Sequence, residues 1–217
     1  MLVGNHMTKN PVTVSENTPV FEASEIMRTR GFSRLPVTRD GKLVGIVTDM
    51  DLMRVSPSSA TSLSVFEVNY ILSKLTLKDV MTKNPRTIPS GATLEEAAVL
   101  MRDNGIGALP VVDDGRLVGI ITESDIFDAF ISMMGLREAG SRITLDVEDR
   151  VGVLAEITEL IRERNVNIIT MATLTSPEGS HGELVLRLET KDPSPLVREF
   201  EARGFRVLHV TSLKERS

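Results

Sequence analysis

The sequence predicts a mixed α/β (α+β) fold, with two β-α-β-β-α repeats packed as one object and a ferredoxin-like β-α-β-β-α-β domain after them. Three observations predict it. The stretch "RLPVTRDGKLVGIVTDMD", Arg34 to Asp51, returns as "ALPVVDDGRLVGIITESD", Ala108 to Asp125. The offset of 74 residues holds without a gap from Met7/Met81 to Asp51/Asp125, with about half of the positions identical. Within each copy two short apolar runs flank Asp-Gly, which is hairpin chemistry. Past Gly135 the repeat stops, and helical and strand periodicities follow in a different order. A unit that recurs this regularly carries an apolar face that its twin can bury.

In order along the chain, each copy opens on "MTKNPVTV" or "MTKNPRTI", read as a strand. Thr18 with Pro19 announces the first helix of copy one, and in copy two Thr93 and Glu96 stand at capping-box spacing. Ala23, Ile26 and Met27, then Ala97, Leu100 and Met101, keep helical spacing. After Gly31 or Gly105 come the hairpin strands, turned at Asp40-Gly41 and Asp114-Gly115. "TDMDLMRV" and "TESDIFDAF" start a second helix. Between the copies "SPSSATSLS" reads as a polar linker and "VFEVNYILSKL" as an apolar-rich helix with one face in a contact.

In the tail, "SRITLDVED", "VNIITMATLT", "GELVLRLET" and "FRVLHVTSL" read as strands. One helix carries Val153, Leu154, Ile157, Leu160 and Ile161 on a stripe, and "SPLVREFEAR" is the other. The expected boundaries are 1–60 for the first repeat, 61–76 for the linker helix, 77–135 for the second repeat and 140–217 for the last domain.

Composition narrows the function. Of 217 residues, 41% are apolar and 25% charged, the balance of a globular protein. A net charge of -5 disfavours a nucleic-acid backbone as partner, and zero cysteines remove disulfides, thiolate nucleophiles and zinc-thiolate sites. No run approaches a membrane span, and "MLVGNHMTKNP" lacks a secretory layout, so a cytoplasmic protein with no membrane partner is expected. His6, His181 and His209 lie far apart without ligand spacing, and no metal site is expected. "GxSxG", "HExxH" and a Walker loop are absent, and "GIGALP" lacks the third glycine of a dinucleotide fingerprint. A non-enzymatic protein with no catalytic cofactor is therefore expected.

The paired units "GFSRLPVTRDGKLVGIVTDMD" and "GIGALPVVDDGRLVGIITESD" resemble tandem CBS domains, a Bateman module, over roughly residues 7 to 130. "DRVGVLAEITELIRERNVNI" resembles the opening of an ACT domain, and the CBS-CBS-ACT order is similar to that of acetoin-utilization regulatory proteins. The resemblance implies an adenosine nucleotide (AMP, ATP or S-adenosylmethionine) as regulatory ligand, with Thr48 and Asp51, and Thr122 and Asp125, holding ribose. A carboxylate only accepts, so it suits the two hydroxyls of a diol. The same spacing is also that of a capping box, and both readings stay open here.

By the same resemblance Thr13-Val14 and Leu35-Pro36 in one copy, and Thr87-Ile88 and Leu109-Pro110 in the other, would flank adenine. Arg34, aligned with Ala108, either is a solvated strand-edge residue or gives the first cleft a phosphate partner that the second lacks. In the ACT domain, Asp149, Gly152, Asn167 and Ile168 match an amino-acid site, and a purely structural, pairing role for the domain is the alternative. Val147 and Asp149 depart from the histidine and asparagine of serine-binding relatives. The implied protein is a homodimeric sensor acting on a regulated partner in acetoin/acetyl-CoA metabolism. The alternative is a structural or partner-holding subunit with empty clefts.

Overall fold

A computed structural model describes residues 1–55, 74–175 and 179–213; the expected linker helix lies outside the described residues up to Ser73. Contacts divide the chain into two compact units, Met1–Phe127 and Asp128–Ser217.

The first unit holds both repeats. Its elements are α1 (Val3–His6), β1 (Thr8–Lys9), β2 (Val14–Ser15), α2 (Val20–Arg30), β3 (Arg34–Arg39), β4 (Lys42–Thr48) and α3 (Asp49–Val55), then α4 (Leu77–Val80), β5 (Thr82–Lys83), α5 (Leu94–Asn104), β6 (Ala108–Asp113), β7 (Arg116–Thr122) and the start of α6 (Glu123–Met133). The strand expected at the head of each copy is two short pieces. In copy one, β2 stays home, parallel to β3, while β1 crosses to pair antiparallel with β7 of copy two. Copy two returns the exchange, since β5 pairs with β4, and Ile88 bridges Val111 at home. The sheets are therefore β2-β3-β4-β5 and β1-β7-β6, each completed by the other copy.

A glycine and a methionine fix the crossing. A Cβ on Gly45 would collide with the Met81 sulfur, and one on Gly119 with that of Met7, so each strand glycine admits the methionine of the other repeat. The hairpins turn on Asp40-Gly41 (φ 50° and 76°) and Asp114-Gly115 (φ 48° and 75°), the left-handed pair of a type I′ turn. Thr93 caps α5 as spacing predicts: its hydroxyl accepts the Glu96 N–H at 3.1 Å, and its own N–H reaches the Glu96 carboxylate at 2.7 Å. Val20, Ala23, Met27, Leu35, Val37 and Val47 build one repeat's core. Leu94, Ala97, Met101, Leu109, Val111 and Ile121 are the buried counterparts.

The second unit begins within α6 and continues through β8 (Gly140–Glu148), α7 (Val153–Glu163), β9 (Ile168–Thr175), β10 (His181–Leu188), α8 (Ser194–Ala202) and β11 (Arg206–Leu213). All neighbours in the sheet β11-β8-β10-β9 are antiparallel, the ferredoxin-like order. Ile143, Leu145 and Val147 alternate toward Val153, Ile157, Leu160 and Ile161 in one core, with Phe200 at its centre. Leu154, expected on that stripe, is 37% exposed, one helical step off the buried face. Arg187 is buried and donates to the Gly135 carbonyl at 2.7 Å, fixing the end of α6.

Candidate functional site

The exchange of β1 and β5 builds two clefts, each from both repeats. The first, about 390 Å³, takes Thr48, Met50, Asp51 and Arg54 from the β4–α3 junction of copy one, and Asn84, Pro85, Arg86 and Gly105 to Ala108 from copy two. The second, about 250 Å³, reverses the roles: Ile120, Thr122 and Ser124 come from copy two, and Thr8, Pro11, Val12 and Gly31 to Pro36 from copy one. The first volume falls within the ~300–1,000 Å³ of small-molecule sites and the second just below it.

Each Thr-x-x-Asp closes the N-terminus of a helix. The Thr48 N–H and hydroxyl donate to Asp51 Oδ2 at 2.9 and 2.8 Å, and the Asp51 N–H returns to the Thr48 hydroxyl at 3.2 Å. Thr122 and Asp125 repeat this at 2.8, 2.7 and 3.3 Å. These are capping boxes. Among the described residues the cap occupies only Oδ2 of each aspartate. A carboxylate has two oxygens with about four lone-pair sites, so Oδ1 stays available to a diol. Capping thus leaves one oxygen of each carboxylate unused.

Of the residues singled out in sequence, Thr48, Asp51, Arg34 and Ala108 meet at the first cleft. Thr122, Arg34, Leu35 and Pro36 meet at the second, with Asp125 hydrogen-bonded behind Thr122. Leu35-Pro36 thus stands opposite Thr122 rather than beside Asp51, because the wall of each cleft comes from the other copy. Leu109 and Pro110 are buried, as are Val14 and Ile88, which pair toward the cores; Thr13 and Thr87 are exposed. None of these six lines either cleft.

Arg54 and Arg86, which sequence reading did not single out, bring two more guanidinium groups to the first cleft. Neither makes an ion pair or hydrogen bond among the described residues. Their repeat equivalents are Asp128 and Val12, a charge mismatch visible in the alignment of the copies.

The second unit has a cavity of about 450 Å³ at the start of α7, lined by Asp149 and Gly152 with Glu148, Glu183 and Leu154. Gly152, with φ 94°, is the N-cap, a left-handed conformation that favours glycine. Arg150 grips Glu156 with two bonds of 2.8 and 2.6 Å and holds its carboxyl below the usual range. The structure separates the four expected amino-acid contacts: Asn167 donates to Glu189 at 3.1 Å, Ile168 opens β9, and neither lines the cavity. Among the described residues no cluster of metal-ligating side chains occurs, and no helix is long and apolar enough to cross a membrane.

Two crossed clefts, each beside a helix-capping Thr-x-x-Asp box, precede a ferredoxin-like domain in the chain, the make-up of a tandem repeat module. The CBS-domain family model matches residues 3–58 and 77–132, and the ACT-domain model residues 141–210. The chain belongs to the CBS-domain family, as a tandem pair with a C-terminal ACT domain. It is similar to a putative acetoin utilization protein (AcuB) from Vibrio cholerae, with TM-score 0.53 and 30% identity over 63% of this chain and 94% of that one. CBSX2 of Arabidopsis thaliana, solved in complex with AMP, gives TM-score 0.52 and 32% identity over 61% of this chain and 98% of that one. An inosine-5'-monophosphate dehydrogenase of Thermoplasma acidophilum is 39% identical over 115 residues, 52% of this chain; the chain spans 20% of that enzyme's length.

Proposed function

We propose that this protein is a non-catalytic sensor whose CBS pair binds adenosine nucleotides in the two crossed clefts and whose ACT domain pairs two chains into a homodimer. One observation carries the reading: a Thr-x-x-Asp box stands at each cleft, with Thr48 and Asp51 lining the first and Thr122 lining the second in front of Asp125, and each aspartate keeps one carboxylate oxygen outside the cap, suited to ribose. The AMP complex of a relative that shares the fold supports the ligand class. Arg54 and Arg86, with no protein partner among the described residues, favour this reading over a structural subunit with empty clefts. They also give the first cleft a preference for phosphate.

At the start of α7 the N–H groups of Leu154 and Ala155 precede the first intrahelical bond. They suit the carboxylate of an amino acid, while Glu183 and Asp149 suit its ammonium. The acetoin-utilization context of the Vibrio relative extends to this chain in the same proposal, with a regulated protein as its output.

Thermal unfolding with millimolar AMP, ATP, S-adenosylmethionine or adenosine tests the sensor. A ligand at a hundred times its Kd stabilises the folded state by about 2.7 kcal/mol and raises Tm. An unchanged Tm with all four would leave the structural subunit as the better account. Light scattering that finds a 23.8 kDa monomer at micromolar concentration would remove the homodimer.

A further inference from the structure

One side chain serves both clefts. Arg34 stands at the start of β3 in the wall of the second cleft, where Ala108 stands in the first, yet its guanidinium also lines the first. It reaches across by donating Nη1–H to the carbonyl of Gly107, a wall residue of the first cleft. That carbonyl also accepts the Glu123 N–H at 3.2 Å. Glu123 follows Thr122, which holds Asp125 at the second cleft. The join is tight, since a Cβ on Gly107 would stand 2.9 Å from the Glu123 carboxylate and 3.4 Å from the Arg34 guanidinium.

We infer that Arg34 couples the two clefts negatively for phosphate-bearing ligands. A phosphate in the first cleft draws the guanidinium off the Gly107 carbonyl and away from the second cleft, which then lacks its one lining arginine. The inference rests on the adenosine-nucleotide reading above. Its direction follows from charge and geometry: the Gly107 carbonyl is neutral and takes one N–H, whereas a phosphate is an anion that takes two parallel N–H bonds from a guanidinium, so phosphate wins it. Arg54 and Arg86 make the first cleft the one that fills first with phosphate. By linkage, phosphate in the second cleft weakens the first by the same factor. Adenosine has no phosphate, leaves Arg34 on Gly107, and fills the clefts independently. The loss of one charge-assisted contact corresponds to about ten-fold in affinity.

Calorimetry on the full chain reads this coupling. At AMP concentrations too low to fill the weakened first cleft of Asp51→Ala, AMP should bind its second cleft about ten-fold more tightly than it binds as second equivalent in the parent. Removing Arg34 in both backgrounds should make the two affinities coincide, and adenosine should show no difference in either. Circular dichroism checks folding, with Arg34→Met keeping the stem if Arg34→Ala unfolds. A second-cleft affinity for AMP that ignores the state of the first cleft overturns the coupling and leaves the adenosine reading standing. A difference that survives loss of Arg34 also overturns it. If neither AMP nor adenosine binds, the adenosine reading fails and the coupling fails with it.

Discussion

In the first cleft Thr48 and Asp51 face the guanidinium groups of Arg34, Arg54 and Arg86; in the second, Thr122 and Ser124 face Phe32, Val12 and Arg34 alone. The frames nevertheless repeat almost atom for atom. The capping box, the Asp-Gly turn and the methionine-on-glycine contact each occur twice with nearly the same geometry. The positions that build the crossing are shared by the copies, whereas among the cleft-lining positions Arg54/Asp128, Arg86/Val12 and Arg34/Ala108 differ. On the proposed reading, these mismatched pairs set the difference in ligand preference between the clefts.

The largest effect should come from breaking the shared frame. Gly45→Val or Gly119→Val forces a side chain onto the methionine of the other repeat, and each should cost about 2–3 kcal/mol in chemical denaturation, as overpacking does. A cost confined to one glycine would show that the copies are not mechanically equivalent. Next in size, Asp51→Ala or Asp125→Ala should weaken adenosine-nucleotide binding at its own cleft by about 1.5–3 kcal/mol. If calorimetry finds both variants and their combination binding as the parent does, the aspartates are caps and nothing more.

Smaller still, Arg86→Ala should lower the AMP-over-adenosine preference of the first cleft by about ten-fold, ~1.4 kcal/mol, and leave the second cleft unchanged. An equal loss at both clefts would mean that charge does not distinguish them. The smallest effect is salt. At about 1 M, where the screening length is about 3 Å, AMP should weaken at the first cleft more than at the second, with adenosine insensitive at both.

Much of this was legible in the sequence. The repeat, the Asp-Gly hairpins, the Thr93 cap and the order of the tail strands follow from local chemistry that a single chain displays. The crossing was not legible, because β1 and β5 are two residues each and their partners lie in the other copy. For that reason the sequence does not show that Leu35-Pro36 stands opposite Thr122 of the other copy. Sequence reading assigns Arg34 to the first cleft alone, whereas the crossing puts its strand in the wall of the second and only its side chain reaches the first. Asn167 is engaged with Glu189 across the strands, a pairing that sequence spacing does not reveal.

Calorimetric titration of the full-length parent with AMP and with adenosine tests the central claim most directly. The account predicts binding at two clefts per chain, with AMP preferred over adenosine by about ten-fold at the tighter one. A folded protein that gives no binding heat with AMP, ATP, S-adenosylmethionine or adenosine at millimolar concentration, at two temperatures, would contradict it.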